Sequence, residues 1–157
     1  MAAFFLDTST VLKRYVQETG TAWVQALAAP TVRHSLFVVR ITLAETVAAI
    51  TRRERGGSIT PQDAATAVAD FQLDFAHQYR VVEVSAGLVA QAATLARRHA
   101  LRGYDAVQLA AALEIHATDS SLTLLSADAE LNTAATAEWL SVEDPNSHPE
   151  PISTIPP

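Results

Sequence analysis

Four acidic residues stand in apolar sequence, where acids are out of place. Asp7 and Asp128 follow closely on the short apolar runs 3–6 and 121–125, while Glu45 and Asp105 lie inside the alanine-rich stretches 43–49 and 104–113. A fold that gathers such carboxylates raises their pKa values by mutual repulsion unless a cation neutralises them. A hard ion that prefers oxygen ligands, such as Mg²⁺, is the natural partner. The chemistry this suggests is that of phosphate esters held in an acidic pocket.

Each acid also has a purely structural use. Asp7 before Thr8-Ser9 and Asp128 after Ser126-Ala127 serve equally well as helix N-caps. Asp105 can complement a helix dipole, although its apolar surroundings offer little polar surface and favour function. Glu45 fits least by pattern. At 100° per residue it points away from the stripe Leu43, Val47, Ile50 and falls with Ile41, Ala48, Ala49 and Arg52, so periodicity alone places it in solvent.

The elements that must position these residues follow from period and punctuation. Strands are expected at 3–6, 35–39, 80–84, 121–125 and 138–142, and helices at 8–16, from Thr21 to before Pro30, and from about Thr42 to Arg55. Thr60-Pro61-Gln62-Asp63 gives a hydroxyl N-cap, a proline at the first helical position and an acid at the third, opening a helix with Ala64, Val68, Phe71 and Phe75 on one face. Ser85 caps a helix striped by Leu88, Ala92 and Leu95, and Gly103 opens a nearly all-apolar helix through Ile115. Strands alternating with helices favour a parallel sheet covered on both faces. In such sheets ligands sit beyond the carboxyl ends of the strands, where strand order reverses. Asp7 and Asp128 lie just past two strand ends, and Asp105 in the first turn of a helix.

With 157 residues, 49% of them hydrophobic, the chain suits one domain, expected over 1–144. Five of its seven prolines fall in residues 145–157, which read as a C-terminal tail without fixed structure. There is no cysteine, so disulfides and thiolate metal sites are excluded. No apolar run reaches the roughly 18 to 20 residues of a membrane span, and the start lacks the basic region of a signal peptide. A soluble, cytoplasmic protein is expected. The net charge of −6 is unevenly spread: residues 1–55 hold seven basic and four acidic groups, and residues 119–157 none and seven. Ten of the eleven basic residues are arginines, whose forked guanidinium grips two phosphate oxygens at once. Arg52, Arg53 and Arg55 read most simply as a solvated helix end. His34, His77, His99, His116 and His148 have no ligand spacing, and Trp23 and Trp139 read as core or interface anchors.

The segment Leu6-Asp-Thr-Ser-Thr-Val-Leu-Lys-Arg-Tyr-Val16 resembles the opening of PIN-domain proteins, particularly the toxin ribonucleases of VapBC toxin–antitoxin pairs. Thr42-Leu-Ala-Glu45, the run from Leu101 to Leu113, and Leu124 to Asn132 resemble their second, third and fourth motifs in the right order. One departure is Gln108, where many relatives carry histidine. The resemblance implies a three-layer α/β sandwich around a parallel sheet of about five strands, with Asp7, Glu45, Asp105 and Asp128 as catalytic ligands of Mg²⁺ or Mn²⁺. It implies an endoribonuclease that uses a metal-activated water, an RNA substrate, a VapB-type antitoxin as partner, and a homodimer.

Ser9 and Ser126, beside two of the acids, can orient a ligand carboxylate, or serve only in strand-end turns. Lys13, Arg14 and Arg102 are candidates for contacts to the RNA backbone. A haloacid-dehalogenase phosphatase would need an acid where this chain has Ser9, and a response-regulator receiver a late lysine where the only lysine is Lys13. The competing reading of another class is a catalytically silent PIN-fold module that only engages a protein partner. The complete acid set favours activity.

Overall fold

The computed structural model describes residues 1–150. Strand residues alternate between two apolar environments, which is what a parallel sheet buried on both faces demands. Five strands, β1 (Ala3–Leu6), β2 (Ser35–Val39), β3 (Arg80–Val82), β4 (Thr123–Leu125) and β5 (Ser141–Glu143), pair in parallel in the order β3-β2-β1-β4-β5. Phe5, Val39 and Leu124 face one core, and Leu6, Leu36, Val38 and Leu125 the other.

Helices fill both faces. On the first lie α5 (Ala86–His99), α6 (Gly103–His116) and α7 (Ala129–Ala137). The second is covered by α1 (Thr8–Tyr15), α2 (Thr21–Ala28) and α4 (Pro61–His77), and α3 (Thr42–Arg55) packs against α1 and α4 through Ile50. The alanines of α6 explain its weak polarity pattern: Ala106, Ala110, Ala111 and Ala112 are all buried, so the helix is enclosed by the sheet and its neighbours rather than lying on the surface. The anticipated N-caps form. Thr60 accepts from Asp63 N at 3.0 Å and Ser85 from Leu88 N at 3.1 Å.

Two expectations are corrected. The fifth strand forms but starts three residues later than expected, at Ser141 rather than 138, because α7 continues to Ala137 and closes over Glu138 and Trp139: Trp139 N donates to Thr136 O at 3.0 Å and Leu140 N to Ala135 O at 3.0 Å. These bonds put Trp139 in the left-handed position of a Schellman cap (φ 67°) and leave it 90% exposed, so it is no core anchor. The sheet resumes only at Ser141. The tail boundary set at 145 also falls inside packed structure. Pro145–Ser147 forms a 3-10 turn, His148 stacks on Trp23 with ring centroids 4.1 Å apart, and Glu150 accepts from Ala22 N at 2.8 Å. Residues 151–157 of that segment lie outside the described residues.

Gly20, which begins α2, makes this docking possible. Its φ of +86° is unfavourable for other residues, and a Cβ there would lie 2.3 Å from Pro145 O. Gly20→Ala is expected to destabilise the protein by about 2 kcal/mol or more, which in a domain of this size lowers the thermal midpoint by roughly 4–8 °C. Calorimetry of the two proteins checks it.

Candidate active site

The crevice beyond the carboxyl end of β1 lies where the chain order reverses. β1 leads to β2 on one side and pairs with the much later β4 on the other. Asp7 follows β1 directly, its N–H donating to Leu125 O at the end of β4 at 3.2 Å. It is the N-cap of α1, accepting from Thr10 N at 3.1 Å through Oδ1. The same oxygen accepts from Ser9 Oγ at 2.7 Å, and Oδ2 from Ser126 Oγ at 3.0 Å. Capping and a candidate active-site role therefore coincide in one residue. Only 5% of Asp7 is exposed, and burial pushes its carboxyl up to about 6. The three hydrogen bonds pull the other way, and the negative charge of Asp128 adds to the rise.

The second acid is placed by the same local logic. Asp128 caps α7 through Oδ1, which accepts from Leu131 N at 2.9 Å, while Ser126 Oγ accepts from Asp128 N at 3.0 Å. Ser126 thus ties the two aspartates together, and Ser9 links the loops by accepting from Ala127 N at 2.9 Å. Both uses anticipated for these serines appear in their contacts: each donates to Asp7, and Ser126 also closes the strand-end turn to Asp128.

Glu45 is not solvated, contrary to its periodicity. The buried stripe of α3 is Thr42, Thr46 and Ile50, with Leu43 and Val47 only half-buried, so the helix is rotated from the face the apolar residues suggested. This turns Glu45 into the crevice, half-buried. Its Oε1 accepts from Thr8 Oγ1 at 3.0 Å and from Gln108 Nε2 at 2.9 Å. Burial raises its pKa, those two bonds lower it, and the charge of Asp105 raises it again. Gln108 is itself buried and offers its two N–H bonds to three oxygens, those of Glu45, Thr42 (3.1 Å) and Thr8 (3.2 Å).

Thr8, Thr42 and Gln108 as a group holding Glu45 escaped the reading of the sequence. Their signal was present. Gln108 lies one turn beyond Asp105 on the same side of an otherwise apolar helix, and Thr42 and Thr46 sit where an ordinary core stripe would be apolar.

Asp105 and Asp128 are spanned by Arg102, whose Nε lies 2.9 Å from Asp105 Oδ2 and Nη2 3.6 Å from Asp128 Oδ2. The four acids thus occupy one crevice as two mutually repelling pairs, Asp7 with Asp128 and Glu45 with Asp105, bridged by a guanidinium. Among the described residues, no three acidic or imidazole side chains close round a single point in this arrangement.

Two phosphate candidates are corrected. Lys13 is buried and paired with Glu18 Oε2 at 3.1 Å, with Arg53 on the other oxygen of that carboxylate. Arg14 donates to Tyr79 Oη at 3.0 Å and Gln78 Oε1 at 2.7 Å and lies 3.1 Å from Asp74 Oδ2. Both spend their charge inside the fold, Lys13 on Glu18 in the turn between α1 and α2 and Arg14 on Asp74 of α4, although the Lys13 charge still reaches Asp7. Arg102, 77% exposed, remains available to a phosphate. The histidines stay apart, and no helix among the described residues is long and apolar enough to cross a membrane.

The comparisons agree with this architecture. The PIN domain family matches residues 4–137. Ribonuclease VapC45 of Mycobacterium tuberculosis is 34% identical over 137 residues, covering 87% of this chain and 92% of that protein. Among solved structures, PAE2754 from Pyrobaculum aerophilum superposes with a TM-score of 0.64 at 16% identity, covering 93% of this chain and 85% of that one. The VapBC2 complex of Rickettsia felis, bound to a DNA fragment from its promoter, gives a TM-score of 0.60 at 13% identity, covering 90% and 98%. With the four motifs in order, a parallel sheet of five strands and the match running through most of its length, the chain belongs to the PIN-domain family.

Proposed function

We propose that this protein is a divalent-metal-dependent endoribonuclease, the toxin of a VapBC-type pair, with Asp7, Glu45, Asp105 and Asp128 as its metal-holding and catalytic acids. The observation that carries the reading is the buried Asp7 carboxylate at the switch point of a parallel sheet, held by hydroxyls and an amide, with the acid Asp128 beside it and in no ion pair among the described residues, since Lys13, whose charge also reaches it, is paired with Glu18. The relative named as a ribonuclease, 34% identical through most of both chains, supports it. A VapB-type antitoxin belongs to the same proposal, by analogy with the Rickettsia complex.

The residues fit a hard cation. Every candidate donor is a carboxylate oxygen, and Asp105 and Asp128 already share one positive group in Arg102. Mg²⁺ or Mn²⁺ bound among these acids supplies Lewis-acid polarisation of a phosphoryl oxygen and acidification of water. Ser9, Ser126 and the Thr10 amide fix both oxygens of Asp7, and Gln108 with Thr8 fixes one oxygen of Glu45. Asp128 spends Oδ1 on its helix and keeps Oδ2 toward Arg102, and Arg102 is free to leave the acids for a phosphate. No protein nucleophile is needed.

Three outcomes test this. Cleavage of RNA by the purified protein is expected to need Mg²⁺ or Mn²⁺, to stop in EDTA, and to fall by more than about 100-fold in Asp105→Asn; cleavage that persists in EDTA and in Asp7→Asn excludes the mechanism. Gln108→Leu is expected to weaken Mn²⁺ binding by about 10-fold, read by calorimetric titration, since Glu45 loses the group that orients it. The third concerns stability without metal. Asp7 has a folded value of about 6 against 3.8 ordinarily, so the unfolded chain gives up its proton first and stability falls as pH rises from about 4 to about 6. In EDTA above pH 7, Asp7→Asn is therefore expected to be more stable than the parent by about 1–3 kcal/mol, with the advantage gone near pH 4. Urea unfolding at both pH values reads it.

A further inference from the structure

A recess of about 470 Å³ opens beside Glu45, between α3 and the first turn of α6. Ile41, Ala44 and Ala48 line it together with Glu45 in the first turn of α3, Arg52 two turns further along that helix, and Tyr104 of α6. Tyr104 is 67% exposed and immediately precedes Asp105. Arg52 is exposed too, and unlike Arg53, which is paired with Glu18, it makes no ion pair among the described residues.

We propose that this recess seats the nucleotide next to the one being cut, its base against Tyr104 and its phosphate at Arg52. The inference rests on the RNA-cutting reading and extends it to a second point of contact. The argument starts from spacing. Glu45 and Arg52 are seven residues apart on one face of α3, about 10.5 Å along the axis, so a phosphate held by Arg52 is a neighbour of the scissile one. The chemistry along that line matches a single strand. An apolar lining that includes an exposed aromatic takes the flat face of any base, and stacking of this kind tolerates all four. A guanidinium without an acid partner takes the phosphate and offsets the repulsion RNA meets from the acids. The volume lies within the range of ligand sites. A basic peptide reaching for the acids would meet Arg52 on its way, so the charge order along the recess favours RNA over such a segment.

Anisotropy of a fluorescein-labelled single-stranded RNA tests the proposal in the cleavage-silent Asp105→Asn background, with Tyr104→Ala, Tyr104→Phe and Arg52→Gln added singly. Tyr104→Ala is expected to weaken binding about 10-fold, and Tyr104→Phe, which keeps the ring, to change it little. Arg52→Gln is expected to lower the slope of log affinity against log salt by about 0.7, the loss of one phosphate contact on a single strand. In the otherwise intact enzyme, Tyr104→Ala raises KM and leaves Mn²⁺ affinity unchanged, which separates a substrate contact from damage to Asp105 beside it. RNA binding by the parent that both Tyr104→Ala and Arg52→Gln leave untouched overturns the subsite alone. Failure of the parent to bind RNA at all removes the RNA reading and the subsite with it. Loss of binding to a protein partner or to a second copy, with RNA affinity preserved, assigns the recess to that partner and overturns the proposal.

Discussion

A carboxylate with almost no access to water sits at the end of the central strand, and the rest of the site is arranged around it. An ionised group in that position is costly unless hydrogen bonds and a nearby positive charge compensate it. Asp7 has the hydrogen bonds, from Ser9, Ser126 and the Thr10 amide, but Asp128 lies beside it and the Lys13 charge that reaches it is already paired with Glu18. The fold enforces this. Asp7 is the turn from β1 into α1, Ser126 and Asp128 form the turn from β4 into α7, and β1 and β4 are adjacent because the chain crosses the sheet to bring them together. Strand pairing thus fixes the separation of the two turns, and the serines lock it.

Glu45 and Asp105 approach from helices instead, and their placement depends on packing. α3 turns its threonines inward, and α6 is enclosed, so Gln108 finds its partners in Thr42 and Glu45, while Thr46 Oγ1 and Gln108 Oε1 stay without one. Gln108 is the hub of that arrangement. Its carboxamide joins α6 to Thr8 at the start of α1 and to Thr42 and Glu45 on α3. A neutral amide at this position supplies donors whatever the pH, whereas a histidine in its place would change its charge within the physiological range. Arg102 completes the set by lending a positive charge to Asp105 and Asp128.

Much of this was legible in the sequence, and the exceptions share a cause. The parallel sheet, the caps at Thr60 and Ser85 and the locations of Asp7, Asp105 and Asp128 follow from local patterns of two, three or four residues. Glu45 was misplaced by periodicity because the buried stripe of α3 is partly polar, and a hydrophobic pattern cannot see buried threonines. Trp139 read as part of a strand because its neighbours are apolar, but helix closure governs that stretch and puts a bulky residue where glycine is usual. Arg14 looked free because its partners Gln78 and Tyr79 lie more than sixty positions away, and Lys13 because its pairing with Glu18, five residues on, depends on how the chain turns after α1. The docking of residues 145–150 escaped for the same reason, since Gly20 and Trp23 are remote in the chain.

The account stands on a divalent cation among these acids, and the most direct measurement is crystallographic. A crystal soaked in Mn²⁺, with anomalous diffraction recorded, is expected to show a manganese peak within coordination distance of Asp7 and at least two of Glu45, Asp105 and Asp128, with Arg102 withdrawn from the acids. A map with no manganese at the end of β1, and Arg102 still bridging Asp105 and Asp128, would contradict it.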